Sequence, residues 1–228
     1  MPPESKTRTM PEEKFKILLV DDHPLVREWL GSLINQQPDL VVCGEAESAA
    51  EALRYLGAQS PDLAIVDLSL KEGSGLELIK TIKSNFPYVA VIVLSMHDEK
   101  HYAERAIRAG ARGYVMKRET TKKIIAAIDQ VRTGKLGVSD EVSTLFAERF
   151  IDDNRARPRT PVEELSDREL EVFRLLGQGL DTRSVANTLH ISIKTVQAYC
   201  ARIKDKLKLA NATELLREAV RWNDSSAF

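Results

Sequence analysis

Leu63-Ala64-Ile65-Val66-Asp67 is the stretch on which the fold turns. Four apolar residues with no polar alternation read as a strand buried on both faces. Asp67 stands where that strand leaves the core. Three further runs end in the same manner. Phe15-Lys16-Ile17-Leu18-Leu19-Val20 runs into Asp21-Asp22, Val89-Ala90-Val91-Ile92-Val93-Leu94 into Ser95, and Gly113-Tyr114-Val115-Met116 into Lys117. Taken as parallel strands, all of them end at one sheet edge, where α/β proteins build their sites. Three carboxylates, a hydroxyl and an ammonium then converge on one point. Hard oxygen donors beside a fixed positive charge suit a divalent cation and a phosphoryl group.

Working outward, Leu40-Val41-Val42-Cys43-Gly44 supplies a fifth strand. Amphipathic stretches fill the gaps at residues 24–36, 48–58, 75–85, 98–109 and 121–133. In the last of these Ile124, Ile125, Ile128 and Val131 form an apolar stripe at helical spacing. Strict alternation of strand and helix predicts an α/β doubly wound, five-stranded parallel sheet.

The chain of 228 residues has room for two domains. Net charge is −1, so overall charge names no partner. No apolar run is long enough for a membrane span, and residues 1–13 are polar, lack the apolar core of a secretory signal and read as a disordered tail. Cys43 and Cys200 sit far apart inside apolar segments, as buried small hydrophobes do, with no disulfide framework or zinc spacing. These features predict a cytoplasmic protein with no membrane partner. Residues 14–135 are expected to form the first domain, residues 136–161 a helix and linker, and residues 162–228 a second domain. Asp140 to Ile151 is the helix, and the charged, proline-containing stretch 152–161 is the linker.

The second domain reads as all-α. Ser166 is a natural helix cap, with Glu169 three residues on completing a capping box. Val172, Leu175 and Leu176 point inward, and Gly177-Gln178-Gly179 ends the helix. Asp181 or Thr182 caps the next, with Val185, Ala186 and Leu189 apolar, and Ser192 caps a third after the tight connection His190-Ile191-Ser192. Two short helices across such a turn form a helix-turn-helix whose second member can enter a DNA major groove. On the third helix Val196, Cys200, Ile203 and Leu207 face the core. Lys194, Gln197, Ala201, Lys204 and Lys208 face outward, with Thr195, Tyr199, Arg202 and Lys206 flanking, a concentration of positive charge suited to phosphates.

Those residues carry a resemblance. Leu165-Ser166-Asp167-Arg168-Glu169, Leu175-Leu176-Gly177-Gln178-Gly179-Leu180, Ile191-Ser192-Ile193-Lys194-Thr195-Val196 and Ile203-Lys204-Asp205-Lys206-Leu207 resemble the LuxR-type helix-turn-helix. The first domain resembles the flavodoxin-like receiver of two-component response regulators, and together they look like the NarL/FixJ class. The resemblance implies Asp67 as phosphoacceptor. It implies Asp21, Asp22, Asp67 and the backbone carbonyl of Ser69 as ligands of Mg2+. Ser95 and Lys117 would contact the phosphoryl group, and Tyr114 would be an aromatic switch that turns inward as Ser95 moves. Lys71 stands where the family commonly has proline, and Arg118 where it often has an acid. DNA contacts would come from Lys194, Thr195, Gln197, Ala198, Tyr199, Ala201, Arg202 and Lys204. Gln197 and Ala201 replace residues that are often basic, which implies fewer charged contacts or a different base preference.

The implied partners are DNA, a sensor histidine kinase or phosphotransfer protein, RNA polymerase, and a second copy of the chain on phosphorylation. The chain would catalyse only its own phosphotransfer and dephosphorylation. An aspartyl-phosphate hydrolase of the haloacid-dehalogenase type is the enzyme alternative. It places its nucleophile in an Asp-x-Asp pattern after the first strand, and Asp21-Asp22-His23-Pro24 does not fit. The histidines at 23, 97, 101 and 190 read as loop or surface residues, with His97 placed to affect how long a phosphoryl group lasts.

Overall fold

A computed structural model describes residues 13–70, 74–153 and 160–225. Most of the expected tail, the loop position Lys71 and the middle of the expected linker lie outside those residues. Five parallel strands form one sheet: β1 (Phe15–Val20), β2 (Leu40–Ala46), β3 (Leu63–Val66), β4 (Ala90–Ser95) and β5 (Gly113–Met116). Their spatial order is β2-β1-β3-β4-β5. Five helices alternate with them: α1 (Pro24–Asn35), α2 (Ala49–Ala58), α3 (Gly75–Asn85), α4 (Glu99–Ala109) and α5 (Thr121–Arg132). The expected sheet is therefore present.

Period-two alternation sends neighbouring strand residues to opposite faces. Ile17, Leu19, Leu63, Ile65, Ile92 and Leu94 pack with Leu30 and Ile34 of α1 and Ile124 and Ile128 of α5. Leu18, Val20, Ala64, Val66, Val91 and Val93 pack on the other face with Leu56, Ile79, Ile82 and Ala106 of α2, α3 and α4. Burial on both faces explains why these runs carry no polar alternation. Strand order reverses between β1 and β3, and a crevice opens at such a switch point. Asp21 and Asp22 follow β1, and Asp67 follows β3.

Differences from the sequence reading are local. β2 continues to Ala46, and β4 starts one residue later than expected and takes in Ser95, which is wholly buried. Pairing across the sheet extends both: Ala46 is registered with Val20 and Ser95 with Met116. The helix after the sheet, α6 (Asp140–Asp153), runs two residues further than expected. Ser139, just before it, donates to Glu99 of α4 at 2.7 Å. At the far end of the linker Pro161 already belongs to a short 3-10 helix, Pro161–Glu164, capped by Thr160.

Beyond it come α7 (Asp167–Gly177), α8 (Thr182–Thr188), α9 (Ile193–Leu207) and α10 (Ala212–Ser225). The Ser166–Glu169 capping box is formed, and Asp181 and Ser192 accept from the backbone N–H groups of Ser184 and Thr195. Each such cap contributes about 1 kcal/mol. Glu169 has a second role. It is buried, and Lys206 of α9 reaches it at 2.6 Å, tying the first helix of the domain to the third. Phe173 lies fully buried with its ring 5.9 Å from that of Trp222, which packs α10 onto α7.

The two units touch. Arg105 of α4 donates to the carbonyl of Leu165 at 2.8 Å and to Asp167 at 3.1 Å, and Lys80 of α3 reaches Asp167 at 3.1 Å.

Gly75, the first residue of α3, is constrained by proximity. A Cβ there would lie 2.2 Å from the carbonyl oxygen of Asp67 and 2.5 Å from the Cα of Leu68, both backbone atoms. Gly75→Ala must push the Asp67 loop aside. It should destabilise the chain by about 1–3 kcal/mol, the usual range for overpacking, read from the midpoint of urea unfolding. An unchanged midpoint would show that the loop yields without strain.

Candidate functional site

Backbone hydrogen bonds hold the acidic residues before side chains do anything. The N–H of Asp21 donates to the carbonyl of Ala46 and that of Asp67 to Val20, continuing the β1–β2 and β1–β3 ladders by one residue. The N–H of Lys117 donates likewise to Ser95. The sheet thus carries each of these residues to its own strand end. Asp21, Asp22 and Asp67 are all buried, at 5%, 6% and 3% exposure, so the site lies inside the edge and not on it.

Lys117 holds these carboxylates together. Its Nζ lies 2.6 Å from Asp21 Oδ2 and 2.7 Å from Asp67 Oδ2. Burial pulls the ammonium's pKa down, but Asp67 and Asp21 outweigh that and hold it above the usual lysine value. Burial pushes the Asp67 carboxyl above the usual aspartate range, helped by Asp21 and opposed by Lys117. A more basic carboxylate is a stronger nucleophile once ionised.

The oxygens of Asp21, Asp22 and Asp67, with one nitrogen of His23, all lie within 4.8 Å of one another. The donor set passes a chemical test for Mg2+, which takes carboxylate oxygens and keeps several waters. The imidazole of His23 is the poorest donor for so hard an ion. It faces solvent and sits against Asp21 and Asp22 at 3.1 and 3.0 Å. Ser69 donates its N–H to Asp67 Oδ1 at 3.2 Å, so the residue expected to offer a carbonyl ligand is beside the carboxylate.

Ser95 and Tyr114 both lie within the fold. Ser95 Oγ accepts from the N–H of His97 at 3.2 Å. Tyr114, expected to act as the switch, is already seated inside. Its ring is 1% exposed while Ser95 remains buried, because the hydroxyl has an acceptor inside, the carbonyl of His97 at 2.9 Å. Burial raises the pKa of that phenol well above its usual value, so it stays a donor.

His97 lies in the loop between β4 and α4, as expected, and makes contacts that the sequence does not reveal. It is partly buried. Its Nε2 shares a hydrogen bond with Ser69 Oγ at 2.8 Å, and its ring stacks on Tyr102 of α4, centroids 4.6 Å apart. Burial, with Arg174 and Lys117 nearby, pulls its pKa down to about 3, so it is neutral at physiological pH. Sequence reasoning also missed Arg105 and Arg174. A contact between residues some sixty positions apart leaves no periodic signal, and on an amphipathic helix such cations look like solvated ones. His190 is exposed as expected and adopts a left-handed backbone, φ 52°, at the turn before α9.

On α9 the inward residues are as expected. Val196 and Ile203 are fully buried, and Cys200 and Leu207 pack partly buried against the core. Burial raises the Cys200 thiol's pKa, consistent with an inert side chain. Lys194, Gln197, Ala198, Ala201 and Arg202 are exposed, at spacings of three and four that put them on one face. Thr195, Tyr199 and Lys204 are more withdrawn. Thr195 Oγ1 is bonded to the capping Ser192, and Tyr199 packs against the core with the Arg202 guanidinium 5.6 Å from its ring. Lys206 is turned to Glu169 and away from that face.

No helix among the described residues is long and apolar enough to cross a membrane.

Comparison with known proteins agrees with this architecture. Residues 17–129 match the response regulator receiver domain, and residues 163–219 match the bacterial regulatory proteins of the luxR family. The oxygen regulatory protein NreC of Staphylococcus epidermidis is 32% identical over 212 residues, spanning 91% of this chain and 97% of that protein. NreC of Staphylococcus aureus is 32% identical over 211 residues with the same coverage. Among solved structures, RcsB of Salmonella enterica serovar Typhimurium bound to the promoter P1flhDC with the phosphomimetic BeF3− is 25% identical. Its TM-score is 0.64, over 91% of this chain and 98% of that one. RcsB bound to the promoter rprA gives a TM-score of 0.63 at 26% identity, over 90% and 98%. With a receiver fold in front, a LuxR-type domain behind and relatives alike along nearly their whole length, the chain belongs to the NarL family of two-component response regulators.

Proposed function

We propose that Asp67 accepts a phosphoryl group from a sensor histidine kinase or phosphotransfer protein, and that the modified chain pairs and binds promoter DNA. The observation that carries this reading is the convergence of Asp67, Asp21, Asp22 and Lys117 at the β1/β3 switch point. In the transfer, an Asp67 oxygen bonds to phosphorus as the donor's P–N bond breaks, and the leaving imidazole nitrogen takes a proton. Asp21, Asp22 and Asp67, with the Ser69 carbonyl, would hold Mg2+, which neutralises phosphoryl oxygens and fixes in-line geometry. Lys117 already touches Asp67 and needs little movement to pair with the new oxygens. Ser95, at the end of β4 between β3 and β5, would be drawn to them, and Tyr114 would respond through the His97 segment that its hydroxyl and Ser95 both bond. The same site would hydrolyse its own phosphoaspartate. This chemistry belongs to signalling in the cytoplasm.

At the output end, Lys194, Arg202 and Lys204 would meet phosphates, with Thr195 and Tyr199 fixing the helix in the groove. Gln197, Ala198 and Ala201 would face base edges. Leu216 and Val220, one turn apart on α10, are exposed apolar residues that suit pairing with a second copy. A symmetric pair reads half-sites about one helical turn apart, or a multiple of that. Contacts to RNA polymerase would follow from where the pair sits on the promoter.

Promoter affinity measured with and without a small phosphodonor tests the switch. The wild type should bind more tightly once phosphorylated, and Asp67→Asn should show no response to the donor while keeping its basal affinity. Equal response in the two proteins would sink phosphorylation control at Asp67.

Two substitutions separate positioning from reading. Lys194→Ala should weaken binding to all sequences alike and reduce the dependence of log K on log salt by about one. Gln197→Ala should relax preference at one base pair by about 1–3 kcal/mol, with the salt slope unchanged. A base preference that survives Gln197→Ala removes that residue from the reading surface.

A further inference from the structure

His97 touches both the phosphoacceptor loop and the domain contact, and no other role in the proposed reaction uses its side chain. Its backbone is held by the proposed switch residues, since its N–H donates to Ser95 and its carbonyl accepts from Tyr114. The ring is held at two points. One is Ser69 Oγ, two residues beyond Asp67, and the other is the face of Tyr102. Tyr102 is 6% exposed and lies in α4 one turn before Arg105, which grips the carbonyl of Leu165 and the Asp167 carboxylate. Across the contact, the guanidinium of Arg174 in α7 acts on both the Tyr102 hydroxyl and the His97 ring.

That contact is imperfectly satisfied. Arg174 Nε is buried with no hydrogen-bond partner. Burying an unsatisfied polar atom is unfavourable, and opening to water restores it. The docked arrangement is therefore held by Arg105, by Lys80 and by the stack beneath Tyr102, against a penalty of its own. Losing the stack favours opening.

Resting on the reading of Asp67 as phosphoacceptor, we infer that His97 is a positioning residue coupling occupancy of Asp67 to the seating of α7 on α4. The N–H of Ser69 already donates to Asp67 Oδ1. A phosphoryl group there adds strong acceptors next to the Ser69 hydroxyl, which turns to them and releases His97 Nε2. A neutral imidazole that loses its buried partner moves to find another, and the movement takes its ring off Tyr102. α7 then loses support at the point where its contact is least satisfied.

Beryllofluoride with Mg2+ on the full chain provides the test, because it does not hydrolyse and so separates coupling from phosphoryl lifetime. Fluorine NMR reports its binding, and amide hydrogen exchange across residues 167–177 reports the seating of α7. In the wild type, exchange there should rise about five- to tenfold on binding, the scale of one net hydrogen bond. His97→Phe keeps a ring on Tyr102 but cannot bond Ser69. It should bind beryllofluoride, start as protected as the wild type and show no rise. His97→Ala should exchange fast with or without the ligand. If His97→Phe responds as the wild type does, or the wild type binds without any change in α7, the coupling is wrong and the reading of Asp67 stands. If the wild type does not bind beryllofluoride at all, the reading of Asp67 fails and the coupling goes with it.

Discussion

The pairing of one ammonium with two buried carboxylates is the constraint on which the receiver is built. Asp21 and Asp67 sit at the ends of neighbouring strands, both almost wholly buried, with Asp22 beside them. Desolvated like charges at such separation are unfavourable, and hydrophobic packing does nothing to offset them. Lys117 relieves the repulsion at contact distance from Asp21 and Asp67 at once. Removing one partner of a buried ionic group typically costs about 3–5 kcal/mol, comparable to the whole stability of a small domain. The sheet must therefore deliver the end of β5 to the ends of β1 and β3. The order β2-β1-β3-β4-β5 does so with β4 and its Ser95 between. Fold and site are here one requirement.

That requirement explains what was legible in the sequence. Strands buried on both faces must be apolar throughout, so their ends stand out wherever a charge or hydroxyl follows, as at Val66-Asp67 and Met116-Lys117. Helix caps are equally local, and Ser166, Asp181 and Ser192 could be read from a few neighbouring residues. His97 could not. Its neighbours in the chain are Met96 and Asp98, whereas its partners in space are Ser69 and Tyr102, and no spacing rule connects them. Tyr114 shows the same limit in another form. Its place in a buried strand was plain, but its rotamer depends on an acceptor supplied by the His97 carbonyl. Local pattern reveals which side chains leave the core, and tertiary contact decides what they meet.

The second domain shows how fixed interactions narrow what a helix can read. Of the cations on α9, Lys206 is committed to Glu169 and stabilises the domain from within. Arg202 lies over the Tyr199 ring, which limits where its guanidinium can reach. The remaining exposed face mixes Lys194 and Arg202 with Gln197, Ala198 and Ala201, and small neutral residues in its centre let a helix approach base edges closely. Such a face relies less on phosphate attraction than the net basicity of the helix suggests.

The docked arrangement also limits how control can work. Arg105 and Lys80 hold the start of α7, yet Lys194, Gln197, Ala201 and Arg202 remain exposed. Docking does not bury that face of α9. On the proposed reading of α9 as the DNA-contacting helix of a pair, a device that leaves it uncovered can regulate only by where it places the domain, because two such helices tolerate little error in spacing along the duplex. Releasing α7 from α4 would therefore act on the geometry of two copies more than on the affinity of one.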